Sequence, residues 1–563
     1  LFWRTKVFLS ILLASCLRLN TVSYRDSSSC NSSNSFKVFV YEIPQELQRN
    51  AEIARKTRTF HTCKKCIYEQ FALEYVLFDY FTTSCHRTNN PEEADYFYLP
   101  IIRDVDYRIA LSKNGDRTPS VIESALLDAM EKADMTAWQR VFNTTDKYWR
   151  RYNGSDHIFV MPAPVTNFRH QSNMRGFFHY MPQLYNPLFI SVELSRRFLL
   201  EYPVCGSQKN IVVPYPTVDP DFYAGLLFEK DFPLHLPLKE RSKLIFYHGG
   251  HHGSCERVRA SLALLVQDKQ LAIQRGDRKR EAGFQSAFFC PIPVGDSPSS
   301  KRMYDVLNFG CIPVVLSDDL VWAFSAETGG PLAASHFAIQ LPQSIVQRDT
   351  ATALLETLHT EMNGPGSIHT DLEAMFNFGG PLPGTNTSLL ALLRQLAAEE
   401  SPSETEADAP TAAPSPGASP PLLSIGKEKK THRRLAGNNN KASKAVAAKG
   451  KSGKSVLVRL LQRVPRQDIL SLQSAGREVA ERFRYYEMIT PAVGMKSTDL
   501  LPLIANHSFP AGGATTQLEK LLVERKKRGI VDIAELCQAE KKRKHAYVGR
   551  YPCSARRRRL LWY

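Results

Sequence analysis

The 563-residue chain has no apolar run of the roughly 20 residues that a membrane-spanning helix needs. The nearest approach is Val7–Leu17, VFLSILLASCL, eleven residues long. No second CxxC accompanies Cys63-Lys-Lys-Cys66, which speaks against a paired-knuckle zinc site. CKKC also lacks a thioredoxin-like βαβ setting, so a redox motif is set aside. No carboxylate stands at ligand spacing from His248, His251 and His252, which favours a glycine-rich loop over a metal centre. Acidic residues are in deficit, 56 against 72 Lys and Arg, giving a formal charge of +16. Yet no nucleic-acid-binding module signature accompanies the excess, and much of it sits near the C-terminal end.

Hydrophobic residues make up 43% and aromatics 10%, enough for real cores, and the length suits two or three domains with linkers. Arg4 and Lys6 precede Val7–Leu17, the order of a charged region and an apolar region in a signal peptide or signal anchor. A buried N-terminal helix is the ordinary alternative. A positive N-terminal flank orients an anchor with the remainder of the chain in the lumen. Eleven cysteines fit an oxidising compartment, and Cys63, Cys66 and Cys85 read as structural disulfide partners. Sequons at Asn31, Asn143, Asn153, Asn386 and Asn506 agree with that address.

Apolar strands and helical patterns alternate from Phe36, as in FKVFVYEIP, DYFYLP, DHIFVMP, NIVVP and KLIFY, which predicts an α/β fold with a mostly parallel sheet. A further strand is expected over Ser335–Gln343. Ser401–Pro421, rich in Pro, Ala, Ser and Glu, and Gly426–Lys454, rich in Lys, Asn and Gly, read as disordered. The Lys-rich stretch and the basic tail read as solvated linker first, as an anionic polysaccharide surface second, and as a nucleic-acid contact last.

The most informative stretch is FFCPIPVGDSPSSKRMYDVLNFGCIPVVLSDDL, from Phe288. It reads as strand, polar loop, helix and strand, one βαβ unit. Ser299, Ser300, Lys301 and Arg302 meet where the helix begins, which suits a diphosphate; an ordinary crossover with a serine cap is the alternative. The order GDSPSSKR…D…GCIPV…SD resembles the signature of the exostosin-like glycosyltransferases, glycosyltransferase family 47. FKVFVYEIPQEL, the segment ending NNPEEADYFYLP, YWRRYNGSDHIFVMP, KNIVVPYP, RSKLIFYHGG and REVAERFRYY resemble further elements of that family in the same order.

The resemblance implies a GT-B architecture, two Rossmann-like domains facing across a cleft. The expected division is an anchor or signal peptide over 1–20, a stem over 21–35 and an acceptor domain over 36–238. A nucleotide-sugar domain then takes 239–347 and 455–490, interrupted by a largely disordered insertion over 348–454. A basic helical extension follows over 491–563. The implied reaction is inverting transfer of a sugar from a nucleotide-sugar, expected to be a UDP-sugar, to a glycan hydroxyl in the Golgi lumen, with the endoplasmic reticulum open. Donor contacts are expected from Gly249, Gly250, Arg259, Gly295, Asp296, Ser297, Ser299, Ser300, Arg302, Asp305 and Glu327. Asp156, His157 and Glu327 are the candidates for general base; Asp156 and His157 could equally cap or pack the strand that they begin. No cofactor is required beyond the donor substrate, and a divalent metal is left open without being implied. Asp104-Val105-Asp106 is formally a DxD, read as structural. Expected partners are the donor, a glycan or glycoconjugate acceptor and a membrane, with a homo- or heterodimer open and no nucleic acid. Ala163-Pro164 and Ala323-Phe324-Ser325 stand where many members of the family carry His-Asp and Pro-Phe-Glu. These departures motivate the alternative, a catalytically silent subunit that partners an active enzyme.

Overall fold

The computed structural model describes residues 35–44, 73–101, 136–141, 143, 147–162, 187–216, 240–249, 256–265, 280–295, 297–363, 388–400, 455–485 and 513–529. Among them, strands form two sheets. The first comprises β1 (Val38–Val40), β2 (Arg87–Thr88), β3 (Tyr96–Leu99), β4 (His157–Met161), β5 (Leu188–Ser191) and β6 (Asn210–Val212), in the order β2-β1-β3-β4-β5-β6. The second comprises β7 (Lys243–Ile245), β8 (Ala287–Pro293), β9 (Ile312–Leu316) and β10 (Ile339–Gln340), in the order β10-β9-β8-β7. Every pairing between these strands is parallel. Parallel strands are covered on both faces, so they need apolar side chains at every position. YFYL, HIFVM and IPVVL are buried throughout, as that requires. The expected α/β class with parallel sheets is what the chain adopts.

The connections are helical: α1 (Leu73–Thr83), α2 (Arg196–Glu201), α3 (Pro203–Lys209), α4 (Glu256–Leu265), α5 (Arg280–Ser286) and α6 (Arg302–Asn308). On α1, Leu73, Leu77 and Phe81 recur every four residues and pack into the first sheet's core with Phe36, Val38 and Tyr98. α6 stops at Gly310, whose φ of 67° lies in the left-handed region that glycine enters at little cost. A disulfide joins Cys290 on β8 to Cys311, just before β9. Cys85 is also disulfide-bonded; Cys63 and Cys66 lie outside the described residues.

Three expectations change. The strand over Ser335–Gln343 is a 3-10 turn, Ala334–His336, followed by the two-residue β10. The 348–454 insertion begins with ordered helices, α7 (Ala351–Asn363) and α8 (Leu389–Glu400). With α9 (Val456–Gln462), they bring Leu354, Leu358, Leu390, Leu393, Leu457 and Leu461 into one core with Ile245, Val314 and Leu316 of the second sheet. Arg459 of α9 also pairs with Glu400 of α8. Residues 401–454 lie outside the described residues. The third change concerns the extension. After α10 (Arg466–Arg482), α11 (Ala514–Lys527) returns to the first sheet. Tyr80 Oη donates to Glu519, and Tyr96 Oη donates to Leu522 O at 2.9 Å. Among the described residues no helix is long and apolar enough to cross a membrane; Val7–Leu17 is not among them.

The carboxyl ends of the two sheets touch. Segments that follow β5 and β6 meet segments that follow β8 and β9. Phe324 N–H donates to Val212 O at 2.8 Å, and Tyr485 Oη donates to Pro214 O at 2.9 Å. Phe324 is fully buried with φ 54°, a strained conformation for a bulky residue, held by this bond and by Leu332 N–H on its own carbonyl.

Candidate functional site

At the centre of the junction is Glu193, two residues beyond β5 and 1% exposed. Its Oε2 accepts from Ser297 Oγ at 2.5 Å, Ser299 Oγ at 2.5 Å and Ser299 N–H at 2.8 Å. The hydroxyl proton of Ser299 is therefore spent on Glu193, so Tyr215 Oη donates to Ser299 Oγ at 2.8 Å. Burial pushes the Glu193 carboxyl above its ordinary value, and the three donors oppose that rise. Ser297 and Ser299, expected to hold a phosphate, instead grip a carboxylate from the other sheet. Their loop is fixed by protein, not left open.

Arg302 opens α6. Its guanidinium carbon lies 5.5 Å from the centroid of the Tyr247 ring, two residues beyond β7. A Cβ added to Gly249 would stand 2.5 Å from Tyr247 Oη and 3.0 Å from Arg302 Nη2. Only a residue without a side chain lets these groups converge. The Gly295 loop is bound similarly: its N–H donates to Ser297 O at 2.9 Å, and a Cβ there would meet Ser299 O at 3.1 Å and Arg259 Nη2 at 3.6 Å. Arg259, buried on α4, donates from Nε to Val294 O at 3.2 Å. The structure thus brings Gly249 to Arg302 and Arg259 to Gly295. Ser300 Oγ is buried with no hydrogen-bond partner among the described residues. Asp305 is engaged at 2.7 Å by Lys301, the residue just before α6. Gly250 and Asp296 lie outside the described residues.

Asp156 and His157 are corrected. Both side chains are 0% exposed. Asp156 Oδ2 accepts from Arg151, His157 Nδ1 is 2.7 Å from Asp156 Oδ1, and Tyr41 Oη is 2.9 Å from His157 Nε2. The imidazole stacks on Phe97, 4.9 Å between centroids, and burial pushes it below its ordinary value. The pair also opens β4, whereas Glu193 and the loops around it lie past the carboxyl ends of the strands. At about 3.3 Å per residue, the five-residue strand sets them over 10 Å from that edge. The structure shows them as a buried pair, held by Arg151 and Tyr41 and stacked on Phe97.

Glu327 sits in a 3-10 turn and accepts from Arg196 Nη2 at 2.6 Å, with 35% of its side chain exposed. Burial raises its carboxyl, opposed by Arg196. Burial also lowers the Arg196 guanidinium, which nevertheless stays the cation of the pair. Beside it, Asp319 accepts from Ser195 Oγ at 2.8 Å and from Arg197 N–H at 2.8 Å, capping α2 from the second sheet. Among the described residues no group of three His, Cys, Asp or Glu could hold a metal ion; His251, His252 and Asp104–Asp106 lie outside them.

Glu193, Tyr215 and Tyr247 were not expected from sequence. One signal could have found them. Each follows a strand of a parallel sheet by two or three residues, on the edge where parallel α/β sheets bind ligands.

The Exostosin GT47 domain matches residues 32–357, more than half of the chain. A probable glucuronosyltransferase 47 A of Physcomitrium patens is 29% identical over 304 residues, 51% of this chain and 60% of that protein. A probable beta-1,4-xylosyltransferase IRX10L of Arabidopsis thaliana is 28% identical over 306 residues, 51% of this chain and 64% of that protein. The chain spans somewhat under two thirds of the length of these curated relatives. With the signature order running from the loop after β8 through α6 and β9, the chain belongs to the exostosin family of glycosyltransferase family 47.

Proposed function

We propose that the protein transfers a sugar from a nucleotide-sugar, a UDP-sugar by our reading, to a glycan hydroxyl with inversion at the anomeric carbon. The two sheets would be the cores of two GT-B domains, the first holding the acceptor and the second the donor. The observation that carries this reading is Arg302, seated on Tyr247 and against Gly249 at the carboxyl edge of the second sheet. Family membership and the names of the relatives, glucuronosyl- and xylosyltransferases, support the reaction class.

As the bond to the anomeric carbon breaks, negative charge grows on the leaving diphosphate. Arg302 and Arg259 would stabilise it, because guanidinium groups pair with phosphate oxygens at two points. Ser297 and Ser299 contribute indirectly, by fixing the loop through Glu193. Among the three acid–base candidates, Glu327 keeps exposed surface; its raised carboxyl suits a proton acceptor for the attacking hydroxyl. We place the protein in the secretory pathway as a Golgi membrane protein with an N-terminal anchor. The Val7–Leu17 run, the sequons and the Cys290–Cys311 disulfide support that address.

The second reading is a silent subunit. Glu193 favours it, since it takes the serine donors that a phosphate would use. Titration calorimetry with UDP and GDP separates the two. The transferase reading expects binding and donor turnover in the wild type, and loss of both in Arg302→Ala with the melting temperature held. A folded wild type that binds neither nucleotide supports the silent subunit.

A further inference from the structure

We propose that the Tyr247 hydroxyl is a diphosphate-binding group: it donates a hydrogen bond to the nucleoside diphosphate that Arg302 holds. This rests on the transferase reading and adds a residue to it. Tyr247 is 1% exposed, and its ring belongs to an apolar cluster with Ile245, Val258, Leu262 and Phe289. Phenylalanine would satisfy that packing. The hydroxyl is the surplus, and it is buried with no hydrogen-bond partner among the described residues. A buried donor without an acceptor is unfavourable, and a ligand that supplies the acceptor relieves that cost.

The surroundings say what the visitor is. The hydroxyl lies where a Cβ on Gly249 would come within 2.5 Å, at the same point as Arg302 Nη2. The guanidinium lies over the face of the same ring. Ser300, two residues before Arg302, holds a second buried hydroxyl with no partner among the described residues. A cation and two donors gathered at the carboxyl edge of a parallel sheet match an oxyanion, and the ring cannot move away without withdrawing support from Arg302. A neutral ligand would use the hydroxyls but gain nothing from the charge of the guanidinium. Of the anions that the reaction offers, the diphosphate gains charge during transfer, so a preplaced donor helps most there.

The test is Tyr247→Phe in the full chain, measured two ways. By calorimetry, wild-type protein should bind UDP, and the variant should bind it about tenfold more weakly, with uridine affinity equal in both proteins. By thermal shift, the apo variant should melt at or above the wild-type temperature, because an unsatisfied hydroxyl has been removed, while the rise on adding UDP should shrink. A structural role predicts the reverse sign in the apo protein. Equal UDP affinity in the two proteins overturns the inference and leaves the transferase reading standing. An equal loss for UDP and uridine also overturns it, since the hydroxyl would then contact the nucleoside. A wild type that binds neither UDP nor GDP overturns both proposals together.

Discussion

Glu193 is a carboxylate surrounded by Ser297, Ser299 and Tyr215, with Asp319 and Tyr304 acting on it or on its neighbours by charge. Because burial raises its proton affinity above the ordinary 4.5, the folded state binds more protons than the unfolded state just above pH 4.5. Its contribution is therefore complete below that pH, falls as pH rises through the raised value, and is flat beyond it. Glu193→Gln removes this slope. Melting curves taken from pH 4 upward should show the variant gaining on the wild type as pH rises; parallel curves would mean that Glu193 does not titrate differently on folding. At neutral pH the variant should still be less stable, by about 1–3 kcal/mol, because one donor of the trio loses its acceptor. The sequence hid this residue because a lone Glu after FISV carries no spacing or composition signal. The two serines that hold it, Ser297 and Ser299, stand 104 and 106 positions away in the chain.

At the scale of elements, α11 shows how far a basic helix can be from a solvated tail. Leu518 and Leu522 are buried in the first sheet's core, 1% and 0% exposed. At its far end Arg525 donates to Ser207 O and Gln208 O in the last turn of α3, where carbonyls lack a partner within the helix, and to Asn210 O at the start of β6. Its charged face is therefore partly structural. Leu522→Ala should cost about 2–5 kcal/mol, read from the urea midpoint at unchanged m-value. A loss below about 1 kcal/mol would show that the helix is not needed by the fold. α7 and α8 carry the same lesson. Leu354 and Leu358, like Leu389 and Leu393, repeat at helical spacing and were legible, but the low-complexity stretch beyond Ser401 dominated the reading of their whole region.

For the whole molecule the decisive feature is the junction between the sheets. Asp319 of the second sheet caps α2 of the first, and the Arg196–Glu327 pair lies beside it. Asp319→Ala leaves the Ser195 hydroxyl and the Arg197 amide without this acceptor. Hydrogen exchange across residues 196–201 should then rise roughly tenfold, as expected for the loss of about 1–2 kcal/mol of capping. Unchanged protection would show that the junction holds without it. The order of strands and helices, the parallel sheets and the family itself were determined by the sequence alone, because burial on both faces leaves uninterrupted apolar runs and the GDSPSSKR…GCIPV order is local. Which polar groups meet was decided only by the tertiary structure. Asp156 and His157 read from sequence either as a general base or as residues that cap or pack their strand, and the direction of β4 puts them at its amino end. Ser299 looked like a phosphate ligand, yet Glu193 reaches it first. A strand's composition is set by its own neighbours, whereas a site is set by which loops the sheets bring to the same edge.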